Sequence, residues 1–162
     1  MLRALLAVLG LVALWFLGRA LVYALVSDET RIRWHVESMA EGYNEGDVGD
    51  AIGPIHRDWK HEGTELSRDL LHGGLVREFF QDRDRETRKL LRRVAIDGES
   101  IEVRVTDDRA EVELEAAFER MEDGAWVPRW RARIHGELER GDDGWSFRRT
   151  RHENLEGTQL SR

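Results

Sequence analysis

The chain has 162 residues, a formal charge of −7 and no cysteine. The missing cysteine removes disulfides, thiolate nucleophiles and Cys-type zinc sites. The acidic balance argues against nonspecific binding to nucleic acid or to anionic lipid.

Ala4 to Val26 is apolar except for Arg19. At about 1.5 Å per residue, a helix over this stretch spans roughly 34 Å, enough to cross a bilayer core of about 30 Å. Gly10 and Gly18 are tolerable in such a helix. Arg19 lies about two turns from its end and can snorkel to the headgroups. A cleaved signal peptide competes: Arg3 makes a short basic start, Ala4 to Phe16 an apolar region, and Gly18-Arg19-Ala20 a small-residue site. Leu21 to Val26 stays apolar past that cut, which favours an uncleaved anchor. The expected division is 1–27 as transmembrane anchor (or signal peptide) and 28–162 as one α+β domain. Arg3 and the α-amino group keep the short N-terminal side cytoplasmic. The expected location is therefore the inner (cytoplasmic) membrane, with the domain facing the periplasm or cell exterior, or secretion if the signal is cut.

Ile32, Val36, Met39, Ala40 and Tyr43 recur at helical spacing. Ser27 or Asp28 caps that helix and Gly46 ends it. Asp50 to Trp59 predicts a second, short helix with Pro54 in its first turn. Trp59 to Gly63 follows as a short strand. Ser67 to about Arg85 predicts a third helix, with Gln81 to Lys89 as its solvated end.

The period then changes to two. Ile101, Val103 and Val105 alternate with charged residues, as do Ala110, Val112, Leu114, Ala116 and Phe118, and then Trp130, Ala132, Ile134, Gly136 and Leu138. Trp145 and Phe147 open a last strand. Turns fall at Asp97-Gly98, Asp107-Asp108, Asp123-Gly124 and Gly141 to Gly144. This predicts a four-stranded antiparallel meander with one apolar face. A tight turn at Asp107-Asp108 sets Val105 opposite Ala110 and Arg104 opposite Glu111. A four-residue loop at 141–144 sets Leu138 opposite Phe147 and Glu137 opposite Arg148. On the outer face Glu113 and Glu115 fall near Arg131 and Arg133, pairs worth about 0.2–1 kcal/mol each. The expected fold is α+β: three N-terminal helices packed on a curved, cone-like antiparallel sheet, preceded by one transmembrane helix.

This order, with Tyr43-Asn44-Glu45-Gly46-Asp47 closing the first helix and Gly141-Asp142-Asp143-Gly144-Trp145-Ser146-Phe147 in the final hairpin, resembles the nuclear transport factor 2-like (SnoaL-like) superfamily over about residues 28–155. The resemblance implies helices closing over a bent sheet, often around a pocket, and a homodimer through the sheet's outer face. It covers isomerases, cyclases, dehydratases and epoxide hydrolases beside many non-catalytic binding or assembly domains. Type IV secretion assembly factors share the combination of one anchor and a domain of this fold.

The hairpin register places Gly136 opposite Arg149 and Ile134 opposite Arg151, all facing inward. Arg149 and Arg151 would then line the cone and hold an anion. A bulge in the last strand or at Gly136 would reverse these faces. Trp59 and His61 border the expected pocket, where His61 can serve as acid or base and Trp59 as wall or core. Tyr43 can hydrogen-bond a ligand or simply pack. Trp130, on the apolar face of its strand, completes the candidate ligand-binding set.

Ketosteroid isomerase-like chemistry needs an inward Asp, and no Asp falls on the inner-face strand positions. The Asp–Arg–Asp arrangement of epoxide hydrolysis cannot be assembled. The six histidines are scattered, and only His56 and His61 are near each other, so no metal is expected. There is no Gly-x-Ser-x-Gly, phosphate loop or dinucleotide fingerprint, and no cofactor is expected. Gly73-Gly74 reads as a place of close packing.

Three functions remain. The first is a membrane-tethered, non-catalytic domain binding a small apolar or anionic ligand or a partner, held to the lipid bilayer through Ala4 to Val26. The second is an isomerase, dehydratase or hydrolase acting on a lipophilic substrate with His61, Tyr43 and Arg149. The third is a structural component of an envelope complex, which the charged outer face disfavours.

Overall fold

The computed structural model of the chain describes residues 26–157. The expected anchor, Ala4 to Val26, lies outside the described residues but for Val26. Among the described residues no helix is long and apolar enough to cross a membrane.

Helix α1, Asp28–Glu45, starts where Ser27 accepts a hydrogen bond from the Thr30 amide and ends at Gly46, whose φ of 76° gives the left-handed stop. Helix α2, Val48–Ile52, is capped by Asp47, which accepts from the Asp50 amide. The sequence reading set this helix too late. Pro54 follows α2 rather than entering it, and the next residues form strand β1, Ile55–His61. Ile55 and Trp59 are four apart, a spacing that one helix face and one strand face share, so periodicity alone could not separate the two. Helix α3, Arg68–Gln81, is capped by Ser67. It stops about one turn before the expected Arg85. The described residues add a 3-10 turn, Gly98–Ser100.

The sheet has six strands, not four. Strand β2, Arg92–Ile96, precedes β3, Glu102–Thr106, β4, Arg109–Glu122, β5, Ala125–Gly141, and β6, Gly144–Gly157. The order is β1-β6-β5-β4-β2, and β3 also pairs with β4. The predicted meander is therefore present as β3 to β6. It is widened by β2 antiparallel to β4 and by β1 parallel to β6. Val105 pairs with Ala110 and Arg104 with Glu111 as expected. Outside, Arg133 bridges Glu115 at 2.8 Å and Glu113 at 3.4 Å.

The apolar face of the sheet and the helices share one core. Ile32 of α1, Ile52 of α2 and Leu138 of β5 are at most 1% exposed, and complete burial of such a side chain contributes about 1.5–3 kcal/mol. Gly136 is inward and close-packed: a Cβ there would meet the Phe147 ring at 2.6 Å. Gly73 and Gly74 are the opposite case. A Cβ on either meets nothing within 4 Å, so the expected close packing is absent.

Candidate functional site

The helices and the concave face of the sheet enclose a cavity of about 470 Å³. Its wall is mostly apolar: Val36, Met39 and Ala40 from α1, Leu71 and Leu75 from α3, and Leu114, Ala116, Phe118 and Ile134 from the sheet. An apolar pocket with a few convergent polar groups is the usual form of a small-molecule site. The polar lining here is Tyr43, His61, Thr64, Thr150 and His152, with the indoles of Trp59 and Trp130.

The register of β6 decides which of its side chains enter. Leu138 pairs with Phe147, as the loop length predicted, but Glu137 pairs with Arg149 and not with Arg148. Arg148 is the extra residue of a β-bulge, and every later side chain changes face. Gly136 consequently meets Thr150 and Ile134 meets His152. Arg149 and Arg151 are exposed on the outer face, where they border a shallow groove with Glu62, Glu102, Glu137 and His135. The inward placement expected for these two arginines is thus reversed. Arg148 itself bonds the ring of His56 and pairs with Glu139 at 3.0 Å.

Thr150 and His152 are the residues that regular alternation missed. The visible signal was the doublet Arg148-Arg149 between Phe147 and Thr150. Strict alternation would force one arginine of that pair towards the cone, and a bulge leaves both outside.

Because β1 runs parallel to β6 with His61 beside Thr150, three side chains meet. His61 Nδ1 lies 2.9 Å from Thr150 Oγ1, and His61 Nε2 lies 2.8 Å from His152 Nδ1. The two imidazoles are nearly parallel, with centroids 5.0 Å apart. Either pattern of ring protons satisfies this chain, so the pair can accept or donate at its far end. Burial pushes the His61 imidazole below its ordinary value of 6.5, the neighbouring His152 adds to this, and Glu62 opposes it. Trp130 stands edge-on to His152 at 5.3 Å, stacks with Phe118 at 4.5 Å, and donates from Nε1 to Asn154 Oδ1 at 2.7 Å. Trp59 is 4% exposed, and its Nε1 is buried without a partner among the described residues.

Tyr43 lines the cavity with its ring, but its hydroxyl is committed elsewhere. It donates to Glu78 Oε1 at 2.5 Å, a carboxylate that also pairs with Arg92 at 3.3 Å. Burial first, and then the Glu78 charge, push the phenol far above its ordinary range. Tyr43, Trp59, His61 and Trp130 therefore come together on one cavity, while Arg149 and Arg151 do not. Among the described residues no group of three or more His, Asp or Glu side chains is arranged to hold a metal ion.

No family model matches the chain, and no curated protein matches it in sequence. Solved structures do match in shape. A nuclear transport factor 2-like protein with a cystatin-like fold from Novosphingobium aromaticivorans superposes with a TM-score of 0.67 at 16% identity, over 86% of this chain and 89% of that one. A protein of unknown function from Mycobacterium tuberculosis gives 0.63 at 14%, over 77% and 74%. A domain of unknown function with a cystatin-like fold from Nostoc punctiforme gives 0.63 at 17%, over 83% and 78%. The chain has the cystatin-like cone fold of the nuclear transport factor 2-like proteins. Identities this low carry the fold and nothing about activity.

Proposed function

We propose that this chain is a membrane-tethered binding domain of the cell envelope whose cone takes up a small, largely apolar molecule. The observation that carries this reading is the cavity of about 470 Å³, apolar around most of its wall and polar where His61, Thr150 and His152 meet. Such a site desolvates a flat hydrocarbon body and orients it by a single polar end. The tether rests on the apolar run Ala4 to Val26.

The paired histidines favour a second reading, acid–base catalysis on the same ligand. Its weakness is the lack of an opposed group. Arg149 is on the far side of the sheet, and the Tyr43 hydroxyl is spent on Glu78. Binding without turnover is the better fit.

Titration of the full chain in lipid nanodiscs with 2-naphthol, followed by tryptophan quenching against empty discs, tests the reading. Saturable one-to-one binding that disappears in Ala116→Trp, which fills the cavity, is expected. Quenching that never saturates, or that survives Ala116→Trp, would count against a ligand site in the cone.

A further inference from the structure

The histidine pair also carries information about the chemistry of the ligand. Three of its four ring nitrogens are engaged: His61 Nδ1 with Thr150, and His61 Nε2 with His152 Nδ1. The fourth, His152 Nε2, makes no hydrogen bond among the described residues. In the neutral pair one proton sits between the rings and one at an outer nitrogen. Adding a proton fills both outer nitrogens, so the cationic pair presents His152 Nε2 as a charged donor.

That cation lacks a counterion. The titratable groups on the wall are Tyr43, His61 and His152, and no Asp or Glu lines it. Strands β4 and β5 supply Leu114, Ala116, Phe118, Trp130 and Ile134, β2 supplies Val94 and Ile96, and α1 and α3 supply apolar side chains besides Tyr43. Behind the wall, Glu78 is held by Tyr43 and Arg92, and Glu62 acts on His61 from outside it. A buried charge needs a partner in contact, and here only a bound molecule can provide one. The neighbouring surface is flat, formed by Trp130 against Phe118 and edge-on to His152.

We propose that the cone selects a planar aromatic acid, bound as its anion against a His61–His152 pair that takes up one proton as the ligand enters. This rests on the cavity being a ligand site. The acid arrives as carboxylate, solvent supplies the proton to the pair, one N–H bond forms, and no other covalent bond changes. Burial, which keeps His61 uncharged without such a partner, sets up the exchange.

The test compares 2-naphthoate with its neutral isostere 2-naphthamide, by calorimetry on the full chain in nanodiscs, with empty discs as blank. At about pH 6 naphthoate should bind at least about tenfold tighter than naphthamide, with uptake of about one proton, read from the heat in buffers of different ionisation enthalpy. Above the titration of the pair, its affinity should fall about tenfold per pH unit. His152→Gln should bring the two ligands to parity while naphthamide binding persists, which shows that the cone is intact. Equal affinities, no proton uptake by the unsubstituted chain, or an acid preference untouched by His152→Gln would overturn the proposal while leaving the cavity reading in place. Failure of both ligands to bind the unsubstituted chain would overturn the cavity reading itself. Proton uptake by the unsubstituted chain decides the matter even where the variant does not fold.

Discussion

The side-chain amide of Asn44 holds the backbone of Val94 twice: Nδ2 donates to the Val94 carbonyl at 2.9 Å, and Oδ1 accepts from the Val94 amide at 2.7 Å. Strand β2 ends the sheet order, so its outer edge has no neighbouring strand. Asn44 completes that edge as a strand would and fastens α1 to it. Asn44→Ala should lower stability by about 1–3 kcal/mol, because it leaves two part-buried backbone groups without partners. Urea unfolding of the two proteins gives the difference. A loss within error of zero would mean that water replaces the amide fully.

Gly73 and Gly74 lie inside α3 with open space where a Cβ would stand. Alanine costs less backbone entropy than glycine in a helix. Gly73→Ala and Gly74→Ala should each stabilise the domain by about 0.5–1 kcal/mol. A higher thermal midpoint for the double variant is the expected result, and a lower one would reveal a contact on that face.

Tyr43→Phe keeps the ring against Phe79 and Phe118 and removes only the hydroxyl. Glu78 keeps Arg92 as a partner. The expected cost is about 1.5–3 kcal/mol, typical of a hydrogen bond to a charged group. 2-Naphthol affinity should stay within about twofold of the unsubstituted chain, since the hydroxyl serves the carboxylate and not the cavity. A large loss of affinity without loss of stability would make Tyr43 a ligand contact.

His35 and His61 both titrate below their ordinary value of 6.5, and burial is the first cause for each. The unfolded chain binds these protons nearer 6.5 and the folded chain only at lower pH, so the unfolded state gains protons first on acidification. Their contribution to stability is full above about 6.5 and is lost as pH falls through the folded values. The thermal midpoint should therefore drop between about pH 7.5 and pH 5. His35→Gln with His61→Gln should flatten the drop, and an unchanged slope in that double variant would place its origin in other groups.

What the sequence made legible was the alternation and the turns. Val105 opposite Ala110 and Leu138 opposite Phe147 follow from loop length and period alone, and both are found. β1 and β2 were harder for a physical reason. Ile55 and Trp59 fit either period, and β2 is only five residues long, with Val94 its one buried side chain. The cavity-facing half of β6 was harder still. An insertion of one residue inverts all that follows it, and nothing in the local pattern of Arg149 to His152 records which side is inward. Tyr43, Trp59, His61 and Trp130 were accessible because they precede the bulge or sit on other elements. Thr150 and His152 come after it.

Residue 148 thus works as a frame marker. Before it, the odd-numbered side chains Trp145 and Phe147 belong to the interior, and after it the even-numbered Thr150 and His152 do. Removing that one residue would put the strand back into uniform alternation and exchange an imidazole lining for two guanidinium groups, with every other amino acid unchanged. The chemical character of the cone is set here by a count of residues as much as by their identity.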